Sequence, residues 1–376
     1  MHKRRIIYIL IGLLIIAVGL FSFTYLDSLP KYSIESINGI SKIYAVDPLN
    51  NNEVLVGGIY FNSSYAHGII GIYYLNNNTF IKINLGNYFN SSAIYSLSFN
   101  GSAILAGGAS YIGNQLHTTL VMIKNGKIYN LSPDLSSFNA LGQVFSTFWN
   151  GRYWLVGGNG FVPLGNGRGE LVPFLIKIFP NGSYHEIAQY LPPDFKVLPQ
   201  STVYSISGNS TLTVIAGSNP VNMTVAISQG NSNFSDVRFT YSPLGVLLTS
   251  YVGNNYVLVG GVNLTEPNIS STFLGVVKGS VVQEVPLKYK VGAITSITYN
   301  SGKYYIAIAE VPFLNSTGQR IPGSVILEGQ TPFSLKTVFS EPYYSVESLT
   351  SIGGKVIAAG YKYSGSGFEG ILILMD

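Results

Sequence analysis

The sequence predicts an all-β fold, a seven-bladed β-propeller preceded by one N-terminal transmembrane helix. Three observations predict it. A hairpin unit recurs with a glycine-rich end, at intervals of 50, 50, 59 and 44 residues from Gly58 through Gly108, Gly158 and Gly217 to Gly261, then 99 residues across two units to Gly360. A period near 50 residues is the length of a four-stranded blade. Seven first strands align on a small residue: Ala45, Ser96, Ser146, Ser205, Thr249, Ser296 and Ser348. The final unit stops one strand short, and residues 31–37 supply a strand with no partner upstream.

Taken in chain order, residues 1–5 form a basic tail and residues 6–26 an apolar run of 21 residues without a charge. At 1.5 Å per residue this run spans about 30 Å, the thickness of bilayer hydrocarbon. A cleaved signal peptide has a shorter apolar core, about 7–15 residues, and a small-residue cleavage site. The run is therefore read as an uncleaved signal anchor, with Lys3, Arg4 and Arg5 inside. Residues 27–30 are a linker and residues 31–376 an extracellular propeller tethered to the membrane.

Each unit holds four strand candidates. In the second unit they are Ile94–Phe99, Ala103–Ala106, Thr118–Ile123 and Lys127–Leu131, joined by Asn100-Gly101 and Asn125-Gly126. Asn-Gly favours two-residue hairpin turns, whose central residues both take positive φ. The small residue suits inner strands, which converge on the axis. Its hydroxyl serves packing, or alternatively a polar ligand in the channel. The sixth unit lacks the glycine pair and carries Ala309 instead. Residues 31–37 then complete the seventh blade against residues 370–375, because a closed ring leaves no sheet edge at the junction.

The links between second and third strands, and from one unit to the next, are long and emerge on one face. They include residues 159–171, with "GNGRGE" read as a flexible insertion, and residues 190–200 and 310–323. Long loops on a rigid scaffold are where binding concentrates. The face collects Tyr88, Tyr111, Phe161, Arg168, Phe195, Phe313, Arg320, Tyr343 and Tyr361. Aromatic side chains there suit contact with a protein or a glycan.

Composition narrows the classes. Only 10% of residues are charged while 47% are hydrophobic, which excludes a disordered chain. The net charge is +4, and residues 1–30 account for half of it, so a nucleic-acid partner has no electrostatic support. There is no cysteine, hence no disulfide and no thiolate metal site. His67, His117 and His185 fall in different units, and neither a metal nor a cofactor is expected. Sequons at Asn62, Asn77, Asn90, Asn100, Asn130, Asn181, Asn209, Asn222, Asn233, Asn263, Asn268 and Asn315 accord with a glycosylated ectodomain. A surface poor in ion pairs suits an acidic medium, and stability is expected to change little from pH 7 to pH 3.

Two acids stand out of pattern. Glu347 replaces the aromatic or aliphatic residue before the small ring position, and Glu310 follows the sixth unit's second strand. A glycosidase needs two opposed carboxyls, so a hydrolase near the channel mouth is the alternative to a binding module. A structural subunit of a cell-surface assembly is a third reading.

The segments "NGRYWLVGG", "NGSAILAGG" and "NNYVLVGG" resemble Kelch-type units, in which a hydrophobic strand ends in Gly-Gly. The later Tyr and Trp columns of such units are not kept, since the only tryptophans are Trp149 and Trp154. The resemblance covers residues 32–376 and implies a propeller. It implies no reaction: the Tyr–Cys copper site of galactose oxidase needs a cysteine, and the Asp box of sialidases is absent.

Overall fold

The computed structural model describes residues 32–375, except 63–64, 86–90, 113–114, 133–140, 166–167, 197–200, 221, 230–232, 240–243, 265–269 and 366. Seven antiparallel sheets follow one another around an axis. Blade 1 comprises Lys42–Asn50, Glu53–Asn62, Tyr65–Tyr74 and Thr79–Lys82. Blade 2 comprises Ser92–Phe99, Ala103–Ile112, Gln115–Lys124 and Lys127–Asn130. Blades 3, 4, 5, 6 and 7 begin with Gly142–Trp149, Thr202–Gly208, Gly245–Val252, Ala293–Asn300 and Tyr344–Ile352. All seven aligned segments thus open a blade as its innermost strand. Blade 5 gains a fifth strand, Arg238–Phe239, which pairs parallel to Val281–Glu284. Nothing in the repeat foretold it.

The ring closes as the repeat requires. Tyr32–Ser36 pairs antiparallel with the last strand, from Tyr32 opposite Met375 to Ser36 opposite Ile371. Ile37 N–H then donates to Gly370 O at 2.8 Å, and Gly370 N–H to Ile40 O at 2.9 Å. Among the described residues no helix is long and apolar enough to cross a membrane. Residues 6–26 lie outside the described residues.

There is no shared core. Buried apolar side chains form separate clusters, one at each seam between blades. Ile43, Val54 and Ile69 of blade 1 meet Ile357 and Leu372 of blade 7 at one seam, for example.

Every innermost strand carries a one-residue bulge at the same register. The extra residues are Tyr44, Tyr95, Phe145, Tyr204, Leu248, Thr295 and Glu347. A bulge re-aims the side chain it inserts. The first and second strands of the blade pinch together beside it, so a Cβ on the second glycine of each pair would strike backbone. At Gly58, Gly108 and Gly158 it would lie 2.0, 1.9 and 1.9 Å from a carbonyl oxygen. This close approach is the physical reason for the recurrent Gly-Gly.

Blade 6 departs from the sequence expectation. Register places Ile308, not Ala309, opposite Ile294 in the glycine column. A second bulge follows between Ile308 and Val311. Glu310 therefore lies inside the second strand, Lys303–Leu314, rather than after it, with φ +58°.

The turns also correct the expectation. Asn125 and Gly126 both have positive φ, but at Asn100-Gly101, Asn150-Gly151 and Asn181-Gly182 only the glycine does. In those turns the asparagine side chain fixes the corner instead: Asn100 Oδ1 accepts from the N–H groups of Ser102 and Ala103 at 2.9 and 2.7 Å.

Candidate functional site

Four of the seven small ring residues tie blade to blade, whereas Ser96 Oγ is buried without a hydrogen-bond partner among the described residues. An innermost strand pairs on one side only, leaving N–H groups aimed at the axis that need acceptors. Ile206 N–H donates to Ser146 Oγ and Leu349 N–H to Ser296 Oγ, each at 2.9 Å. Ser250 N–H reaches Ser205 Oγ at 2.9 Å, and Val46 N–H reaches Ser348 Oγ at 3.3 Å. Each bond joins one blade to its neighbour, which is the packing use of the hydroxyls.

The bulge residues line the axial channel. All seven border a cavity of about 360 Å3 at its mouth, and all seven are half-buried. Four aromatic rings follow in sequence: Tyr44–Tyr95, Tyr95–Phe145 and Phe145–Tyr204, with centroids 5.5, 5.8 and 4.9 Å apart. Burial raises the pKa of Tyr44, Tyr95 and Tyr204, so these stay neutral phenols. Glu347 ends the arc beside Tyr44. Ser345 Oγ donates to Glu347 Oε1 at 2.7 Å. Deep placement in the channel raises the Glu347 pKa, against the hydrogen bond from Ser345 and the charge of Lys42, and Glu310 adds to the rise.

A second cavity, about 570 Å3, opens between blades 1 and 2. Tyr44 and Tyr95 form its floor, shared with the channel, and Tyr65 and Tyr111 stand at the rim. Those two rims are 63% and 62% exposed, which makes them available to a partner. Among the described residues no charged side chain lines this cleft.

The long-link face exists, but largely as extended hairpins rather than loops. Strands Trp154–Gly165 and Arg168–Ile178 pair out to Gly165 opposite Arg168, so "GNGRGE" is mostly strand, not a flexible insertion. Lys303–Leu314 and Arg320–Gly329 pair out to Leu314 opposite Arg320. Tyr111, Arg320 and Tyr343 are exposed on this face. Phe161 and Phe313 are half-buried. Phe195 was expected there but is fully buried: it sits in a 3-10 turn, Pro193–Lys196, and packs with Leu155, Leu175 and Ile215 at the seam of blades 3 and 4. The Pro-Pro segment tucks the ring inward, which spacing alone does not reveal. Tyr361 is also mostly buried, under Lys42 Nζ at 4.4 Å from its ring. Tyr88 lies outside the described residues, and of Arg168 only the strand position is described.

Five sequons have turn roles. Asn100, Asn130, Asn181, Asn209 and Asn315 each accept, through Oδ1, the N–H of the residue two positions on. At Asn181, Asn209 and Asn315 the hydroxyl of the Ser or Thr donates to the same oxygen. Asn62, Asn77 and Asn233 are exposed, and Asn222 and Asn263 half-buried. Asn90 and Asn268 lie outside the described residues. Among the described residues no group of three or more His, Asp or Glu could hold a metal ion.

Asp47 is the second perturbed acid near the axis. Its carboxylate accepts from Phe99 N–H at 2.9 Å across the seam of blades 1 and 2. Burial outweighs that bond and pushes its pKa up to about 7. The folded chain thus holds a proton that the unfolded chain releases near pH 4. This contribution to stability is fully present below pH 4 and is lost as pH rises towards 7. Asp47→Asn keeps an acceptor for Phe99 and is expected to raise stability at pH 8 by about 2 kcal/mol, discounted for partial solvent contact, with no gain at pH 3.5. Denaturant titration at both pH values checks this. An equal effect at both would mean that Asp47 titrates normally.

No family model and no curated protein matches the chain. Solved structures do. The structure described as YCF48 bound to D1 peptide aligns with a TM-score of 0.58 at 9% identity, covering 93% of this chain and 97% of that one. The structure of YjhT aligns with a TM-score of 0.52 at 10% identity, covering 81% and 98%. A Pyrococcus horikoshii acylaminoacyl peptidase aligns with a TM-score of 0.50 at 11% identity, and the match takes in 87% of this chain but 51% of the peptidase. What is shared is the fold.

Proposed function

We propose that the protein is a binding module, anchored in the membrane by residues 6–26 and displayed outside the cell. Its hairpin face would engage a cell-surface protein or glycan through the cleft between blades 1 and 2. The observation that carries the reading is that cleft: about 570 Å3, lined among the described residues by uncharged side chains, floored by Tyr44 and Tyr95 and rimmed by the exposed Tyr65 and Tyr111. Aromatic rims with an apolar face and a polar tip dominate the energetics of such contacts. YCF48, of similar fold, is described with a peptide bound. The glycine pairs support kinship with Kelch-type propellers, and the exposed sequons support glycosylation.

Screening the full-length protein in nonionic detergent against glycan and peptide arrays tests the reading. Tyr65→Ala with Tyr111→Ala is expected to weaken the strongest binder about thirtyfold, the scale of a hot-spot pair, without moving the thermal midpoint. Unchanged affinity would place the ligand elsewhere.

Hydrolysis is the second reading. It is favoured by Glu347, whose raised pKa suits a general acid and which feels the charge of Glu310. On this reading the protein cleaves some member of a glycoside panel, and Glu347→Gln and Glu310→Gln each abolish turnover. Activity that survives both substitutions removes it.

A further inference from the structure

The seven bulges bring together groups that are far apart in sequence, and their combination is selective. Tyr44, Tyr95, Phe145 and Tyr204 present a continuous aromatic arc along one side of the channel mouth. Where the arc meets blade 7, the next side chain is a carboxylate, Glu347. Among the described residues Glu347 makes no ion pair. Its one hydrogen bond is from Ser345. Lys42, whose charge acts on Glu347 without forming an ion pair with it, holds its Nζ 3.7 Å from the Phe368 ring centroid and 4.4 Å from that of Tyr361. Aromatic rings of blade 7 thus already hold one ammonium, that of Lys42 from blade 1.

We propose that the channel mouth is a binding site for an organic ammonium ion, its charged head at Glu347 and Tyr44 and its apolar or aromatic body along Tyr95, Phe145 and Tyr204. Ring faces attract a cation, and a desolvated carboxylate that no cation contacts among the described residues completes the selection. An anionic ligand meets Glu347 and is repelled. A neutral one leaves the carboxylate uncompensated. The cavity of about 360 Å3 has room for a small arylalkyl amine. The proposed site shares Tyr44 and Tyr95 with the cleft but does not use the cleft's rim, Tyr65 and Tyr111.

The test is calorimetry on the full-length protein in nonionic detergent, with phenethylammonium, its neutral isostere 2-phenylethanol, 3-phenylpropionate and butylammonium as probes. Phenethylammonium is expected to bind at least about tenfold more tightly than 2-phenylethanol, the scale of one charge-assisted contact. The propionate should not bind. Glu347→Gln should abolish the preference for the amine, and Phe145→Leu should narrow the gap between phenethylammonium and butylammonium. Tyr129→Ala, at an exposed ring on the outer strand of blade 2, should leave all four affinities unchanged.

The wild-type protein gives a check that needs no variant. The groups facing Glu347 are Lys42 and Tyr44 of blade 1, Glu310 of blade 6, and Ser345 and Tyr361 of blade 7. Glu347, not Glu310, lines the channel, so the preference for the amine should fade as falling pH protonates it. Equal binding of amine and alcohol, a preference retained in Glu347→Gln, or a preference insensitive to pH overturns the proposal.

Discussion

Replacing Gly360 with alanine is expected to cost about 4 kcal/mol and to lower the thermal midpoint by roughly 10 °C. A Cβ at this position would lie 1.8 Å from Ser345 O, 2.8 Å from Ser345 C and 3.0 Å from Val346 Cα. All three are backbone atoms, so no rotamer change relieves the clash. The strands must part at the bulge that projects Glu347, and the channel mouth loses its carboxylate together with stability. Gly365→Ala is the control, since a Cβ there meets nothing within 4 Å. It should change stability by less than about 0.5 kcal/mol. Similar midpoints for the two variants would show that the pinch between the first and second strands is not needed.

Placing aspartate at Ile37 is expected to open the ring. Ile37 is 3% exposed and packs with Ile40, Ile43 and Leu372 where the last blade meets the first. It follows directly on the closing strand and is tied to Gly370 O. A carboxylate there would sit among apolar side chains, so burying it should cost about 4 kcal/mol, enough to detach Tyr32–Ser36. Gly367–Met375 would then be an unprotected edge, and exposed edges pair with other copies. Thermal unfolding and light scattering read the two consequences. A monodisperse Ile37→Asp variant with an unchanged midpoint would show that closure is dispensable.

Much of the fold was legible because it repeats. The seven aligned segments fixed the blade starts, and the missing last strand pointed to residues 31–37. The bulges were not legible, since one extra residue per strand leaves no trace in a pattern aligned without gaps. Their signal was present in the column just before the small ring residue, where Tyr44, Tyr95, Phe145 and Tyr204 precede Leu248, Thr295 and Glu347. Reading that column as channel lining needs the register. The hairpin extensions were missed because glycine and proline in residues 159–171 argue for irregular structure, whereas antiparallel pairing carries on past them to Gly165. Phe195 was misplaced for a related reason: a long link can fold back and fill a seam, and Phe195 fills the one between blades 3 and 4.

The way the chain enters the disc has a mechanical consequence. Tyr32 lies beside Met375, at the end of blade 7 that carries the short turns, and the chain runs from there towards the hairpin face. A pull on the residues ahead of Tyr32, directed away from the short-turn side, acts lengthwise on the sealing strand. All of its rungs to the last strand share that load in shear, instead of parting one by one as in a zipper. The weakest join of the circle is thus oriented to resist the direction in which a leash would tug.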